Sequence, residues 1–188
     1  MEAFFVSAAV VALGEIGDKT QLLALVLAAR FRRPVPIILG ILAATLANHS
    51  LAGAVGLWVH DSVSPDVLRW SLGASFIAIG LWALKPDTLD AQHRAMGDYG
   101  VFLVTVASFF LAEIGDKTQI ATVALAARFH HLVPVVAGTT LGMMIADVPA
   151  VFLAGKGAAR IPLKAVRGVA AALFIVLGVA ALLGVGTA

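Results

Sequence analysis

The chain has 188 residues, of which 61% are hydrophobic and 13% charged, with no cysteine and a formal net charge of +2. A mean hydropathy of +0.99 is too high for a water-soluble domain of this size, so composition predicts an all-α integral membrane protein. Missing cysteine excludes disulfides and thiolate metal sites, and basic residues held in short loops between apolar runs argue for membrane topology, with the lipid bilayer as partner and no nucleic acid.

A membrane-length window gives six spans, at 3–29, 34–58, 66–84, 100–127, 133–155 and 163–184. No basic region precedes the first, so it reads as a retained span and not as a cleaved signal. It is apolar from Phe4 to Gly14, 11 residues or about 16 Å of helix, and then meets Glu15-Ile16-Gly17-Asp18-Lys19-Thr20-Gln21 near the middle of a core ~30 Å thick. Charge at that depth costs at least ~2.5 kcal/mol on insertion scales and points to function. On an unbroken helix Glu15 and Asp18 share a face, Gly17 leaves room for a neighbouring helix or an ion, and Lys19 lies one turn beyond Glu15, either as its ion-pair partner or as a regulator of the site's charge.

Arg30-Phe31-Arg32-Arg33-Pro34 closes the first span, and the second carries Asn48-His49 near its centre. Span three has almost nothing polar inside and reads as scaffold. Trp58, Trp70, Trp82 and Tyr99 fall near span ends, as an interfacial belt does. A polar stretch from Lys85 to Asp98 is the one substantial linker. Beyond it, span four is apolar from Phe102 to Ala112 and then repeats the first string unchanged as Glu113-Ile114-Gly115-Asp116-Lys117-Thr118-Gln119. Arg128-Phe129-His130-His131 follows, with the two histidines read as loop residues, the alternative being a metal-entry or pH-sensing role. Asp147 in span five aligns with His49 and is a candidate supplementary ligand or proton carrier; Asn48 and His49 are candidates beside it. Span six, like span three, reads as scaffold.

A shift of 98 residues matches 13 of the 19 positions from Leu13 to Phe31 with those from Leu111 to Phe129. This divides the chain into a three-helix repeat at 1–84, a linker at 85–99 and a second three-helix repeat at 100–188. Three spans per unit is odd, so the second copy enters the membrane from the opposite side, which makes the expected fold six transmembrane helices in two inverted repeats. Loops after spans one, three and five hold Arg30, Arg32, Arg33, Lys85, Arg94, Lys156, Arg160, Lys164 and Arg167, against Arg69 and Arg128 on the other side. Nine against two puts the linker in the cytoplasm and both termini outside.

Two antiparallel motif segments meeting at mid-membrane bring Glu15, Asp18, Glu113 and Asp116 together as metal ligands. Thr20, Gln21, Thr118 and Gln119 then serve as neutral oxygen donors or as hydrogen bonds between helices. Oxygen donors suit Ca²⁺, Mn²⁺ or Mg²⁺, and spacing does not choose among them. Four carboxylates against Lys19 and Lys117 leave two negative charges, which one divalent cation or two protons neutralise. Crowded carboxylates in low dielectric favour proton uptake when no metal is there, so the expected activity is divalent cation/proton exchange. The metal is cargo, no permanently bound cofactor is expected, and one monomer holds the whole site.

Both hexapeptides, Glu15 to Thr20 and Glu113 to Thr118, fit the Glu-x-Gly-Asp-Lys-Thr pattern, and with the six-span repeat the chain resembles, essentially end to end, the family of Golgi manganese/calcium-proton exchangers and bacterial MneA-type manganese exporters, related to the cation/calcium exchanger superfamily. The resemblance implies that Glu15, Asp18, Glu113 and Asp116 are the cation ligands and that the chain exports manganese across a bacterial inner membrane; manganese over calcium rests on it alone. Rival readings are a metal-dependent intramembrane lipid-diphosphate phosphatase and a passive divalent cation channel. The phosphatase needs cationic clamps and a nucleophile, and no Ser or Arg accompanies the acidic motifs.

Overall fold

A computed structural model describes residues 1–85, 100–154 and 163–184. Among these there are eight helices and no strand: α1 (Glu2–Glu15), α2 (Lys19–Phe31), α3 (Pro34–Ser62), α4 (Pro65–Ala83), α5 (Val101–Glu113), α6 (Lys117–Phe129), α7 (Leu132–Leu153) and α8 (Leu163–Leu182). Pro34 and Pro65 open α3 and α4, where a missing N–H removes no helical bond. Arg32 and His130 end α2 and α6 in the left-handed conformation, at φ 53° and 51°, and donate their N–H groups to Ala28 and Ala126. Most of the expected linker, with Arg94 and Tyr99, lies outside the described residues, as do Lys156 and Arg160.

Spans one and four depart from expectation: neither is one helix. Each breaks within its acidic string, because Gly17 and Gly115 take φ of 81° and 73°, values that a residue with a Cβ rarely adopts and no α-helix contains. Glu15 and Glu113 therefore close one helix, and Asp18 and Asp116 stand in extended backbone at the N-cap of the next. The shared helical face expected for Glu15 and Asp18 does not exist. Across each break the amide oxygen of Gln21 or Gln119 accepts the N–H of Gly17 or Gly115 at 2.8 Å.

Polar and apolar surfaces are distributed as lipid demands. On α3 the large side chains Leu39, Leu46, Leu51, Val55 and Trp58 face outward, while Thr45, Asn48 and His49 are buried. Water would favour the reverse arrangement, whereas hydrocarbon tolerates apolar groups outside and forces polar groups to find partners within. α3 and α7 are individually long and apolar enough to cross a bilayer, and the breaks divide the first and fourth apolar runs into the shorter helices α1, α2, α5 and α6.

Helix contacts exchange under the 98-residue shift. A Cβ built on Gly138 of α7 would stand 2.4 Å from the Phe4 carbonyl oxygen and 3.0 Å from the Ser7 Cβ of α1. Its counterpart Gly40 of α3 would meet the Phe102 carbonyl oxygen at 3.0 Å and the Thr105 Cβ of α5 at 2.7 Å. Each half's opening helix thus lies hard against the middle helix of the other half, where glycine lets backbones approach. α4 and α8 pack on each other through Phe76 and Phe174, whose centroids are 6.4 Å apart. Phe174 also reaches to 3.7 Å of the position a Cβ on Gly14 would take, so this pair backs the broken segment from behind.

Candidate functional site

The two breaks face each other inside the bundle. Glu15 and Glu113 are fully buried, and Asp18 and Asp116 are 1% exposed. Ligand oxygens of Glu15, Glu113 and Asp116 all lie within 4.8 Å of one another. Three of the four expected carboxylates therefore form one cluster, and the fourth, Asp18, is held by the ammonium of Lys117 from the opposite half. Reciprocally, Lys19 Nζ stands 2.8 Å from Asp116 Oδ1.

Those ion pairs cross between the halves, where an unbroken helix would have set each lysine beside the glutamate four residues before it. Positive φ at Gly17 and Gly115 turns α2 and α6 away from the helices before them and sends each lysine across to the other half's aspartate. The two bridges are not equivalent: Lys117 is buried, whereas the Lys19 side chain keeps 27% of its surface exposed.

Hydroxyls complete the inner shell. Thr20 donates to Glu15 Oε2. Thr118 Oγ1 lies 3.2 Å from Asp116 Oδ2 and 3.4 Å from Glu113 Oε2. Gln21 and Gln119 spend their amide oxygens on the breaks, and Gln21 donates its NH₂ to the Ala146 carbonyl at 3.0 Å. Asn48 likewise donates to the Phe110 carbonyl at 3.1 Å, fastening α3 to α5 three residues before Glu113. His49 is fully buried with Nε2 3.7 Å from Glu113 Oε2, beyond hydrogen-bond reach but beside the cluster. Asp147 of α7 is fully buried within electrostatic range of Glu15, Glu113 and Asp18.

Several acceptors here have no donor. Glu15 Oε1, Glu113 Oε1 and both oxygens of Asp147 are buried with no hydrogen-bond partner among the described residues. A buried carboxylate oxygen left alone in an apolar interior is costly, and a cation or a proton is what relieves it. The donor set is carboxylate and hydroxyl oxygen with one imidazole at the edge, which suits a hard divalent cation.

The buried hydroxyls of Ser7, Thr45, Ser108 and Thr140 lie outside both acidic strings. The 98-residue shift that aligns Ser7 with Thr105 was the signal for the first of these, since both hold the equivalent helix contact.

Comparison with known proteins follows the same outline. A family described as "Divalent cation/proton antiporter GDT1" matches residues 3–91 and 101–187. A Vibrio cholerae protein carrying the name "Putative manganese exporter" is 48% identical over 96% of this chain and 90% of its own length. A GDT1-like protein of Synechocystis is 28% identical over 95% of this chain and 96% of its own, and GDT1-like protein 5 of Arabidopsis thaliana 27% over 97% and 96%. No solved structure matches the chain significantly. Both repeats are covered almost in full, and the chain belongs to the GDT1 family of divalent cation/proton antiporters, membrane transporters and not enzymes.

Proposed function

We propose that the chain exports Mn²⁺ from the bacterial cytoplasm in exchange for protons, both ligands competing for the carboxylates between the two broken helices. The observation that carries this is the buried cluster of Glu15, Glu113 and Asp116, whose ligand oxygens lie within 4.8 Å of one another and which leaves Glu15 Oε1 and Glu113 Oε1 without a hydrogen-bond partner among the described residues. Manganese as cargo draws on the name of the Vibrio cholerae relative, and calcium is the competing cargo that oxygen ligands also accept.

In this reading the pocket works as a charge balance. Glu15, Asp18, Glu113, Asp116 and Asp147 against Lys19 and Lys117 leave three negative charges among buried carboxylates. One divalent cation with one proton neutralises them, and so do three protons, so metal loading releases two protons. Lysines held on aspartates from the opposite half keep Asp18 and Asp116 from closing around the ion until the halves shift, which couples occupancy to conformation.

The orientation in this reading is two inverted three-helix repeats, 1–84 and 100–188, joined by a cytoplasmic linker at 85–99, with both termini outside. Contacts support it. Glu2 is in electrostatic range of Arg128, and Asp61 reaches His130, which gathers the N-terminus with the turns after α3 and α6. Arg32, Arg33, Val151, Phe152 and Ala154 line one cavity, which gathers the turns after α2 and α7 at another place.

Metal-resolved flux in proteoliposomes under an imposed pH gradient tests the proposal. Wild type should drive Mn²⁺ uphill against a proton gradient, and Glu15→Gln or Glu113→Gln should each abolish it while the protein stays monodisperse. Flux indifferent to the pH gradient, or near-normal transport by both variants, overturns it.

A further inference from the structure

A second cluster of metal-ligating side chains lies away from the buried carboxylates, where α3 and α6 end. Ligand atoms of His60, Asp61 and His130 all lie within 4.8 Å of one another. His60 and Asp61 are in the last turn of α3, and His130 is the residue that caps α6. We propose that these three side chains form a separate binding site for a borderline divalent transition metal such as Zn²⁺, bridging α3 to α6 at the membrane surface.

Three features argue for a built site. First, His60 Nδ1 lies 2.7 Å from the Ala127 carbonyl oxygen, so the ring donates its Nδ1–H to backbone and keeps the Nε2 lone pair for a ligand. Metal-bound histidines are held by this same second hydrogen bond, which fixes both tautomer and ring orientation. Second, the left-handed backbone of His130, φ 51°, sets its ring beside His60 with centroids 4.1 Å apart and its Nε2 3.1 Å from Asp61 Oδ1, so one turn of the exposed His130 ring out of this stack brings both imidazole lone pairs toward one ion. Third, the carbonyl ends of two helices converge here, and the partial negative charge of a helix C-terminus favours a cation.

Closure to a bound geometry is small. Ligands at 2.0–2.1 Å around a tetrahedral ion stand about 3.3 Å apart, a spacing that His130 Nε2 and Asp61 Oδ1 already have at 3.1 Å, so no pair in the trio must close by more than about 1.5 Å. Rotation of His130, whose side chain is 51% exposed, supplies this without moving a helix. His60 also lines an open cavity of about 340 Å³, large enough for a hydrated ion to arrive. Two imidazoles and one carboxylate select differently from the all-oxygen cluster within the bundle: transition metals bind, and Ca²⁺ and Mg²⁺ do not. At the equivalent cap of α2 the residue is Arg32, so the site belongs to one end of the molecule.

The test is Zn²⁺ binding to the purified full chain carrying Glu113→Gln, a background that silences the buried cluster and so keeps this proposal separate from the transport reading. One equivalent should bind at micromolar concentration and resist a hundredfold excess of Ca²⁺. His60→Gln and His130→Gln should each weaken it at least tenfold, and His131→Gln should leave it unchanged. Zn²⁺ should also raise the thermal midpoint of the parent protein, and at the same concentration clearly less that of the His130→Gln variant, because stabilisation by a ligand of the folded state follows its affinity. Binding that is unaffected by both His60→Gln and His130→Gln, or that Ca²⁺ displaces as readily as Zn²⁺, overturns the proposal.

Discussion

At the scale of single residues the two glycines decide the site. Gly115 has open space where a Cβ would go, so Gly115→Ala tests backbone strain alone: at φ 73° it should lower stability by about 1–2 kcal/mol, read as a fall in thermal midpoint in detergent. The lysines should differ from each other. Lys117→Met removes the cation that Asp18 pairs with in the interior and should destabilise by about 3–5 kcal/mol, whereas Lys19→Met, at a partly exposed bridge, should be clearly milder in the same assay. Equal effects would contradict the asymmetry of the two bridges. The burial of the four motif carboxylates was legible in the sequence, because charge within an apolar run carries depth information. Their pairing was not, because the i,i+4 argument presumes a helix and Gly17 reads equally as room for a neighbour or as a turn.

At the scale of elements, bilayer length set the outer limits of each span to within a few residues, while the interruptions escaped detection. Hydropathy averages over a window longer than the three residues Ile16-Gly17-Asp18, so a break disappears into an apolar mean. Helix packing depends on equally local detail. Gly142 of α7 is so close to α1 that a Cβ would come within 2.6 Å of the Ala8 carbonyl oxygen, and that neighbour is rigid backbone. Gly142→Val should therefore separate α1 from α7, costing about 1–3 kcal/mol, and should reduce Mn²⁺ flux further than its loss of stability alone, since Glu15 closes α1. A variant that keeps wild-type flux would show that the position of α1 does not govern the carboxylate cluster.

Across the whole molecule, the absence of native cysteine makes orientation easy to measure. Arg33→Cys and His131→Cys place one thiol each in the turns after α2 and α6. In intact cells a membrane-impermeant maleimide should label His131→Cys and reach Arg33→Cys only after permeabilisation; the opposite pattern would invert the proposed topology. The repeat and the loop-charge asymmetry were readable from the sequence alone because both are one-dimensional patterns. The exchange of contacts between halves was not, since nothing in a repeat says whether its copies pack side by side or interlock.

That interlocking has a consequence for how such a chain can be assembled. Gly138 on Ser7 and Gly40 on Thr105, with Lys117 on Asp18 and Lys19 on Asp116, are two kinds of contact that each occur twice. Fragments produced separately should be inert alone and regain activity on co-expression, each serving as the template the other lacks. A duplicated ancestor of one half, docking against its own copy, would have formed the same set of contacts before any fusion joined them.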